Sequence, residues 1–483
     1  MSEAIELAII GAGPAGMAAA VEASRLGVEA VVFDEQTAPG GQIYRNIERL
    51  VRERPGDLAL LGRDYAAGSS LVDAFRGSTA EFRGGTAVWE ITAEGAIGLL
   101  DASGARTVRA RRVLIATGAL ERPVPVAGWT LPGVLSAGAA QTLLKASGLV
   151  PDGPIVLAGG GPLIYLVAWQ LARAGADLQS VLLTAPVGQR PAALRHLPAA
   201  LRDVANLWKG RRWELETAAL GVRFVDRVTH LMAEGDECVQ RVRYSDHKGD
   251  HTIDCAMLLL HDGVIPNTQL SRVAGCPHVW DDLQRCWRPQ TDPNGATPIE
   301  RIAVAGDGAG IGGADAAATR GRLAAIDAAR RLDRLDAEDA DGLSSALDRT
   351  LSRQLAIRPF LDTWFRPADW LMRPRDDVIV CRCEEVTAGE LRRVAALGCQ
   401  GPNQAKSFTR AGMGPCQGRL CGPVVSEIFA KAHRQTVQAT GYYRIRPPVR
   451  PITVGEAAGL AGLPGSPDAP EAQPGQAGLE PAR

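Results

Sequence analysis

Apolar residues gather in two similar units, each a short uninterrupted apolar run, a glycine-rich turn and a helical stretch of small or branched residues. The first run, IELAII at 5–10, lacks the polar alternation of a half-exposed strand and reads as a strand of a parallel sheet covered on both faces. GAGPAG at 11–16 follows, then an alanine-packed helix over 17–26 and a second apolar run at 28–33, which together predict a β-α-β unit. The second unit, IVLAGGGPLIYLVAWQLARAG, spans 155–175, so that Gly159 stands 148 positions after Gly11. Between them, residues 58–76 predict a helix with Leu61, Tyr65, Leu71, Val72 and Phe75 as its buried stripe. Residues 80–108 predict short antiparallel strands, and RRVLIATGA at 111–119 a strand ending in a tight turn. Further strand signals fill 210–262, RIAVAGDGAG at 301–310 is another strand entering a glycine turn, and the charged stretch 330–348 predicts a connecting helix.

Composition narrows the class. The 483 residues allow roughly three domains at about 150 residues each. Lys plus Arg total 53 against 54 Asp plus Glu, which argues against a general nucleic-acid binder. Nine cysteines is an odd and sparse set, unlike a disulfide-stapled secreted scaffold, yet five of them crowd into 381–421. The amino terminus shows no basic segment followed by a cleavable apolar one, and no uncharged apolar run reaches about 18 residues. The expectation is a cytoplasmic protein without a transmembrane segment, at most peripheral to the inner face of the membrane.

In GAGPAG, Gly11 permits the tight turn, Gly13 lets backbone approach a pyrophosphate, and Gly16 permits close packing of the helix. Pro14 and Ala15 open that helix, whose N-terminal dipole faces the anion. Asp34, at the end of the second run, is placed to accept hydrogen bonds from ribose hydroxyls, with Glu35 as the alternative if the strand ends one residue later. The second glycine motif is damaged. GGGPLI at 159–164 has Ile164 where the third glycine belongs, and the following strand runs into Thr184 and Ala185, with neither an acid for a 2'-hydroxyl nor an adjacent Arg for a 2'-phosphate.

Cys381 and Cys383 form a CxC pair, and Cys416 and Cys421 a second pair 32 residues on. Four soft anionic ligands suit a structural zinc or an iron-sulfur cluster. Cys399 and the scattered Cys238, Cys255, Cys276 and Cys286 have no ligand spacing and read as buried or neutral thiols. His261, in LLLHDGVIPN, reads as structural, and His196, His230, His247, His251, His278 and His433 as surface residues. Arg382, Lys406, Arg410 and Arg419 flank the paired cysteines, where they tune a metal centre, face an acceptor or are simply solvated.

These pieces carry resemblances. GGQ at 40–42, ATG at 116–118 and GDG at 306–308 are spaced as in the flavoproteins with two dinucleotide domains that resemble thioredoxin and glutathione reductases. That likeness implies an α/β fold with FAD in the first domain, held by Gly41, Gln42, Val88, Thr117, Gly118, Gly306 and Asp307 beside the first glycine motif. The CxC pair with its long gap resembles the bacterioferritin-associated ferredoxin (BFD) domain, which implies a 2Fe-2S cluster on Cys381, Cys383, Cys416 and Cys421. The implied layout is an FAD domain from 1–150 and 265–330, a degenerate second nucleotide domain over 151–264, a helical connector over 331–375, a BFD-like domain over 376–454 and a disordered tail over 455–483.

Six longer stretches go further: DEQTAPGGQIYR (34–45), GALERPVPVAGWTLPGVLSAGAAQTLLK (118–145), AVAGDGAGIGGADAA (303–317), VCRCEEVTAGEL (380–391), FTRAGMGPCQGRLCGP (408–423) and GYYRIRPPVRPITVGE (441–456). Over residues 5–458 the chain resembles the FAD- and iron-sulfur-containing α (A) subunits of bacterial heteromeric amino-acid dehydrogenases, the opine oxidases, hydrogen cyanide synthases and proline or D-hydroxyproline dehydrogenases. The resemblance implies a partner β subunit with its own FAD that oxidises the substrate C–N bond, in some systems a small ferredoxin-like subunit, and in some members an FMN at a subunit interface. The present chain would relay electrons to an acceptor that the sequence does not name. Two other readings compete: a self-contained NAD(P)H-dependent FAD/2Fe-2S reductase, and a non-redox nucleotide-binding scaffold with a structural metal.

Overall fold

The computed structural model describes residues 4–462. Its first sheet has seven strands: β1 (Ile5–Ile10), β2 (Ala30–Phe33), β3 (Glu81–Arg83), β4 (Ala87–Ile91), β5 (Ala96–Asp101), β6 (Gly104–Ile115) and the later strand Ile302–Val304. The order is β3-β2-β1-β6-β5-β4, with Ile302–Val304 added beside β6. The length of β6 makes this possible: its first half forms a hairpin with β5, and its second half runs parallel to β1 and Ile302–Val304. The chain thus returns to its first sheet after leaving it for nearly two hundred residues.

The helix Pro14–Arg25 covers this sheet with Ala15, Gly16, Ala18, Ala19, Ala20 and Ala23 buried. Small residues are required because the helix Ala314–Arg331 crosses it almost backbone to backbone: a Cβ on Gly321 would lie 2.0 Å from the Ala15 carbonyl oxygen. Residues 58–76 are not one helix. Three short helices, Asp57–Leu61, Arg63–Ala66 and Gly68–Arg76, replace it; they break at Ala67 and at Gly62, which has φ +94° and packs against the Trp169 ring. Leu61, Tyr65, Val72 and Phe75 are nevertheless buried.

The second sheet has five strands built around Ile155–Gly160, with Leu178–Leu183 and Met257–Asp262 on either side. Val134–Ser136 is its edge strand, so this unit begins before the boundary at residue 150 expected from the sequence. The helix Val204–Ala219 likewise occupies the start of the stretch read as strands from 210. Its amphipathicity was masked by exposed apolar residues such as Trp208 and Leu215. The connector contains the helix Ala337–Leu355, packed through Ala340 and Leu347 onto Leu323 and Ile326.

The cysteine-bearing unit is mostly helical, with Ala388–Ala396, Pro402–Thr409 and Gly422–His433 around a two-stranded ribbon. Its core is continuous with the underside of the first sheet: Val380, Val424 and Phe429 belong to the same apolar cluster as Ile10 and Val113. The segment after it straps back onto the first domain, where the Val449 N–H donates to the Trp89 carbonyl at 2.9 Å and Arg450 pairs with Glu35. The start of the expected tail at 455 falls inside a helix, Val454–Ala458, which Thr453 and Glu456 cap with a reciprocal capping box. Residues 463–483 lie outside the described residues.

Candidate functional site

Four loops meet above the ends of the parallel strands, where ligands bind in open α/β sheets. Gly11 has φ +107°, and a Cβ there would stand 2.6 Å from the Ala116 carbonyl oxygen, which ties the first turn to the ATG turn. Gly16 lies so close under Gly11 that a Cβ would meet its carbonyl oxygen at 1.8 Å. Gly13 differs: the nearest protein atom to its Cβ position is Gly41 Cα at 3.8 Å, so its open side is a cradle that a side chain would fill. Gly41 (φ +59°) closes one flank of that cradle, and the Gly40 N–H donates to the Ala12 carbonyl. The third flank is the GDG turn, where Gly306 (φ +71°) rests on the Ala15 methyl and Gly308 approaches the Gly118 carbonyl.

The helix behind the cradle begins with Pro14, which has no N–H, and no side chain caps it. Its free N–H groups and dipole therefore remain available to an anion. Asp34 Oδ2 accepts from the Ala12 N–H at 2.6 Å and Oδ1 from the Gln36 N–H at 2.7 Å, which fixes the carboxylate beside the turn with lone pairs to spare. Burial pushes its pKa up. Glu35 pairs with Arg450. Asp307 Oδ1 accepts from the Gly312 and Gly313 N–H groups at 2.8 and 3.0 Å. Thr117 Oγ1 is 3.4 Å from the Asn267 carbonyl. The Gln42 carbonyl accepts from Lys145 Nζ at 3.2 Å. Val88 does not line the cradle with its side chain, which is buried in the core with Ile10 and Phe33.

Lys145 went unnoticed in the sequence. It is one of only five lysines, is the one charged residue of the helix Ala137–Ser147, and donates to the Gln42 carbonyl at 3.2 Å and to Gln141 Oε1 at 3.1 Å. Burial, with some help from Arg45, pulls its pKa down to about 7.

Around the second glycine turn, Ile164 is fully buried in the place of the third glycine, and Thr184 is a buried side chain with an unpartnered hydroxyl. His261 is fully buried with Nδ1 2.6 Å from Glu121 Oε1. Glu121 in turn accepts the Gly138 N–H at the start of the helix Ala137–Ser147, so His261 braces the domain junction. His278 is not a surface residue: it bonds Ser271 Oγ and the Cys276 carbonyl, and burial holds its pKa down at about 3.

The four ligand-type cysteines meet as two pairs, Cys381 with Cys421 and Cys383 with Cys416. The Cys421 thiol donates to Cys381, and the Gly412 N–H adds a second bond at 3.5 Å, which lowers the Cys381 pKa to about 6 and raises that of Cys421. Among the described residues no three His, Cys, Asp or Glu side chains converge as a single metal ion would need. Two separate thiol pairs fit a cluster in which two irons share four thiolates. Cys255, Cys276, Cys286 and Cys399 are buried with raised pKa values, and Cys238 is exposed.

Comparisons with known proteins agree with this geometry. Residues 5–331 match the family described as pyridine nucleotide-disulphide oxidoreductase, and residues 379–431 the BFD-like 2Fe-2S binding domain. The opine oxidase (A) subunit of Agrobacterium tumefaciens (strain Ach5) is 44% identical over 476 residues, covering 95% of this chain and 92% of that protein. The chain belongs to the FAD- and 2Fe-2S-containing α-subunit family. Hydrogen cyanide synthase subunit HcnB of Pseudomonas aeruginosa is 31% identical over 92% of this chain and 96% of its own. The crystal structure of L-proline dehydrogenase from P. horikoshii shares the fold, with TM-score 0.68 and 18% identity over 94% of this chain and 79% of that one. As a member of the α-subunit family, the protein is an FAD-dependent oxidoreductase subunit that binds FAD and a 2Fe-2S cluster. Among its described residues no helix is long and apolar enough to cross a membrane.

Proposed function

We propose that this chain is the electron-transferring subunit of a heteromeric dehydrogenase that oxidises the C–N bond of an opine or amino acid, with an oxidase-like FAD-containing partner carrying out that oxidation. The observation that carries the reading is a single short segment touching both centres. Asn267 donates its N–H to the Gly118 carbonyl of the ATG turn at 3.0 Å, and two residues later Gln269 Nε2 reaches the carbonyls of Cys416 and Gln417 at 3.3 and 3.2 Å. A flavin accepts electrons in pairs and a 2Fe-2S cluster passes them singly, so a protein holding both converts one to the other.

In this reading Gly11, Gly13, Pro14, Ala15 and Gly16 hold the pyrophosphate of FAD, Asp34 its ribose, and Gly41, Gln42, Thr117, Gly118, Gly306 and Asp307 the remainder. Cys381, Cys383, Cys416 and Cys421 ligate the cluster. The names of the relatives support the partner: the opine oxidase protein and HcnB are each named as one subunit of an enzyme. The buried His261 and Glu121 are engaged with each other and with backbone, which supports assigning substrate oxidation to the partner. The second glycine turn, with Ile164 for its third glycine and no acid or Arg after the next strand, speaks against direct reduction by a nicotinamide nucleotide. Anaerobic mixing of the isolated, FAD-loaded chain with NADH and NADPH tests this: no bleaching of the flavin is expected, and rapid bleaching at micromolar nucleotide would overturn the assignment in favour of a self-contained reductase.

A further inference from the structure

The cluster unit carries an open cleft of about 800 Å³ whose cations are Lys406, Arg410, Arg444 and Arg446, and whose lining contains no acid. Among the described residues, Arg410 alone of these four has a carboxylate partner, Glu384, at 2.8 Å. Lys406 is half-buried, stacks over Tyr443 and donates to the Arg444 carbonyl, which fixes the cleft wall, whereas Arg410, Arg444 and Arg446 project as exposed side chains. The floor includes Gly412, whose N–H is bonded to Cys381 Sγ. It cannot gain a side chain, because a Cβ would sit 2.5 Å from the Tyr443 ring. Gln417, next to Cys416, also lines it. The cleft floor thus includes a backbone N–H bonded directly to a ligand sulfur. Met413, 51% exposed, lies on its lining and Phe408, 65% exposed, one residue beyond it.

We infer that this cleft is the docking site of an acidic one-electron carrier protein that removes electrons from the cluster; the inference rests on the relay reading above. Exposed arginine forks suit carboxylates held on a partner surface, and Arg, Met and aromatic side chains are enriched in protein interfaces. A small free anion would instead need enclosed donors, and three of the four cations here are exposed. In each encounter the cluster loses one electron and the carrier gains one, with no bond made or broken and no proton moved. The basic field over this cleft, whose floor is bonded to a ligand sulfur, steers the acidic face toward the cluster.

The test uses the full-length protein loaded with FAD and cluster, reduced with dithionite and freed of excess, in stopped-flow against two oxidised haem proteins of opposite charge: cytochrome b5, which is acidic, and cytochrome c, which is basic. The expected result is faster reduction of cytochrome b5 at low ionic strength, falling as salt is added. Arg444→Glu with Arg446→Glu should slow it about tenfold and speed cytochrome c, while flavin content and the EPR signal of the cluster stay unchanged. Equal changes with both cytochromes, or none, would overturn the inference. So would loss of the co-purifying partner subunit with an unaltered cytochrome b5 rate, which would make the cleft a subunit interface, or binding to anionic vesicles without any cytochrome preference. A cluster that follows the expected cytochrome pattern but is never reduced by substrate through the partner would leave the docking site standing and overturn the relay alone.

Discussion

Gly13 and Gly16 belong to one motif, but the structure gives them opposite failure modes. Gly13 has φ −77° and ψ −174°, an extended conformation open to any residue, and the 3.8 Å to Gly41 Cα is ordinary contact. Gly13→Ala should therefore leave the apoprotein intact, or stabilise it by about 0.4–1 kcal/mol through the unfolded chain. The added methyl occupies the cradle where the phosphate must approach. A displacement of that contact is expected to weaken FAD binding about a hundredfold, or about 2.7 kcal/mol. With FAD at about 100 times the native Kd, binding adds about 2.7 kcal/mol to the stability of the native chain, and in Gly13→Ala only about 0.4. Gly16→Ala has no such room: its Cβ would stand 1.8 Å from a carbonyl oxygen, so turn and helix must part and the apoprotein itself should lose about 1–3 kcal/mol or more. Denaturant unfolding of both apoproteins, with and without FAD, separates the two effects. Native FAD affinity in Gly13→Ala, or apoprotein damage equal to that of Gly16→Ala, would refute the placement of the pyrophosphate.

Other expectations follow from the same contacts. Cys416→Ser should abolish the EPR signal of the reduced cluster while FAD content, measured by absorbance after purification, stays at the native level. Asp307→Ala removes the acceptor of two N–H groups and should lower FAD affinity about tenfold by titration of the apoprotein, since bonds to a charged acceptor contribute about 1.5–3 kcal/mol each. Burial lowers the Lys145 pKa from 10.5 to about 7, so between those values the unfolded chain binds the proton that the folded chain has lost. Folding stability should rise with pH over that window through this group, and Lys145→Met should flatten the rise in unfolding free energy between pH 7 and 10.

Much of the cradle was legible because its chemistry is written in short spacings. Gly11, Gly13, Gly16 and Asp34 announce a turn, a helix start and a strand end, and the structure puts all four at one place. The four cysteines Cys381, Cys383, Cys416 and Cys421 were legible for the same reason, but their pairing was not: in space Cys381 meets Cys421 and Cys383 meets Cys416, across the two sequence pairs. The Asn267 to Gln269 bridge was not legible, because it depends on three hydrogen bonds across about 150 residues of chain and on no local pattern. Lys145 was hidden by its helix, whose apolar neighbours gave no reason to expect an unpaired cation within. The breaks in 58–76 escaped because Gly62 bends the chain to clear Trp169, a tertiary demand that overrides a helical pattern. Val88 shows the converse: its place in a familiar family position pointed to the cofactor, whereas its side chain packs in the core.

The claim that electrons travel from a partner's substrate through this chain to its cluster is tested most directly by freeze-quench EPR of the co-purified heteromeric complex. After anaerobic mixing with an opine such as octopine, the account predicts a reduced 2Fe-2S signal within a single turnover, and none when the isolated chain is mixed with the same opine. Substrate oxidation by the complex with the cluster remaining oxidised throughout would contradict it.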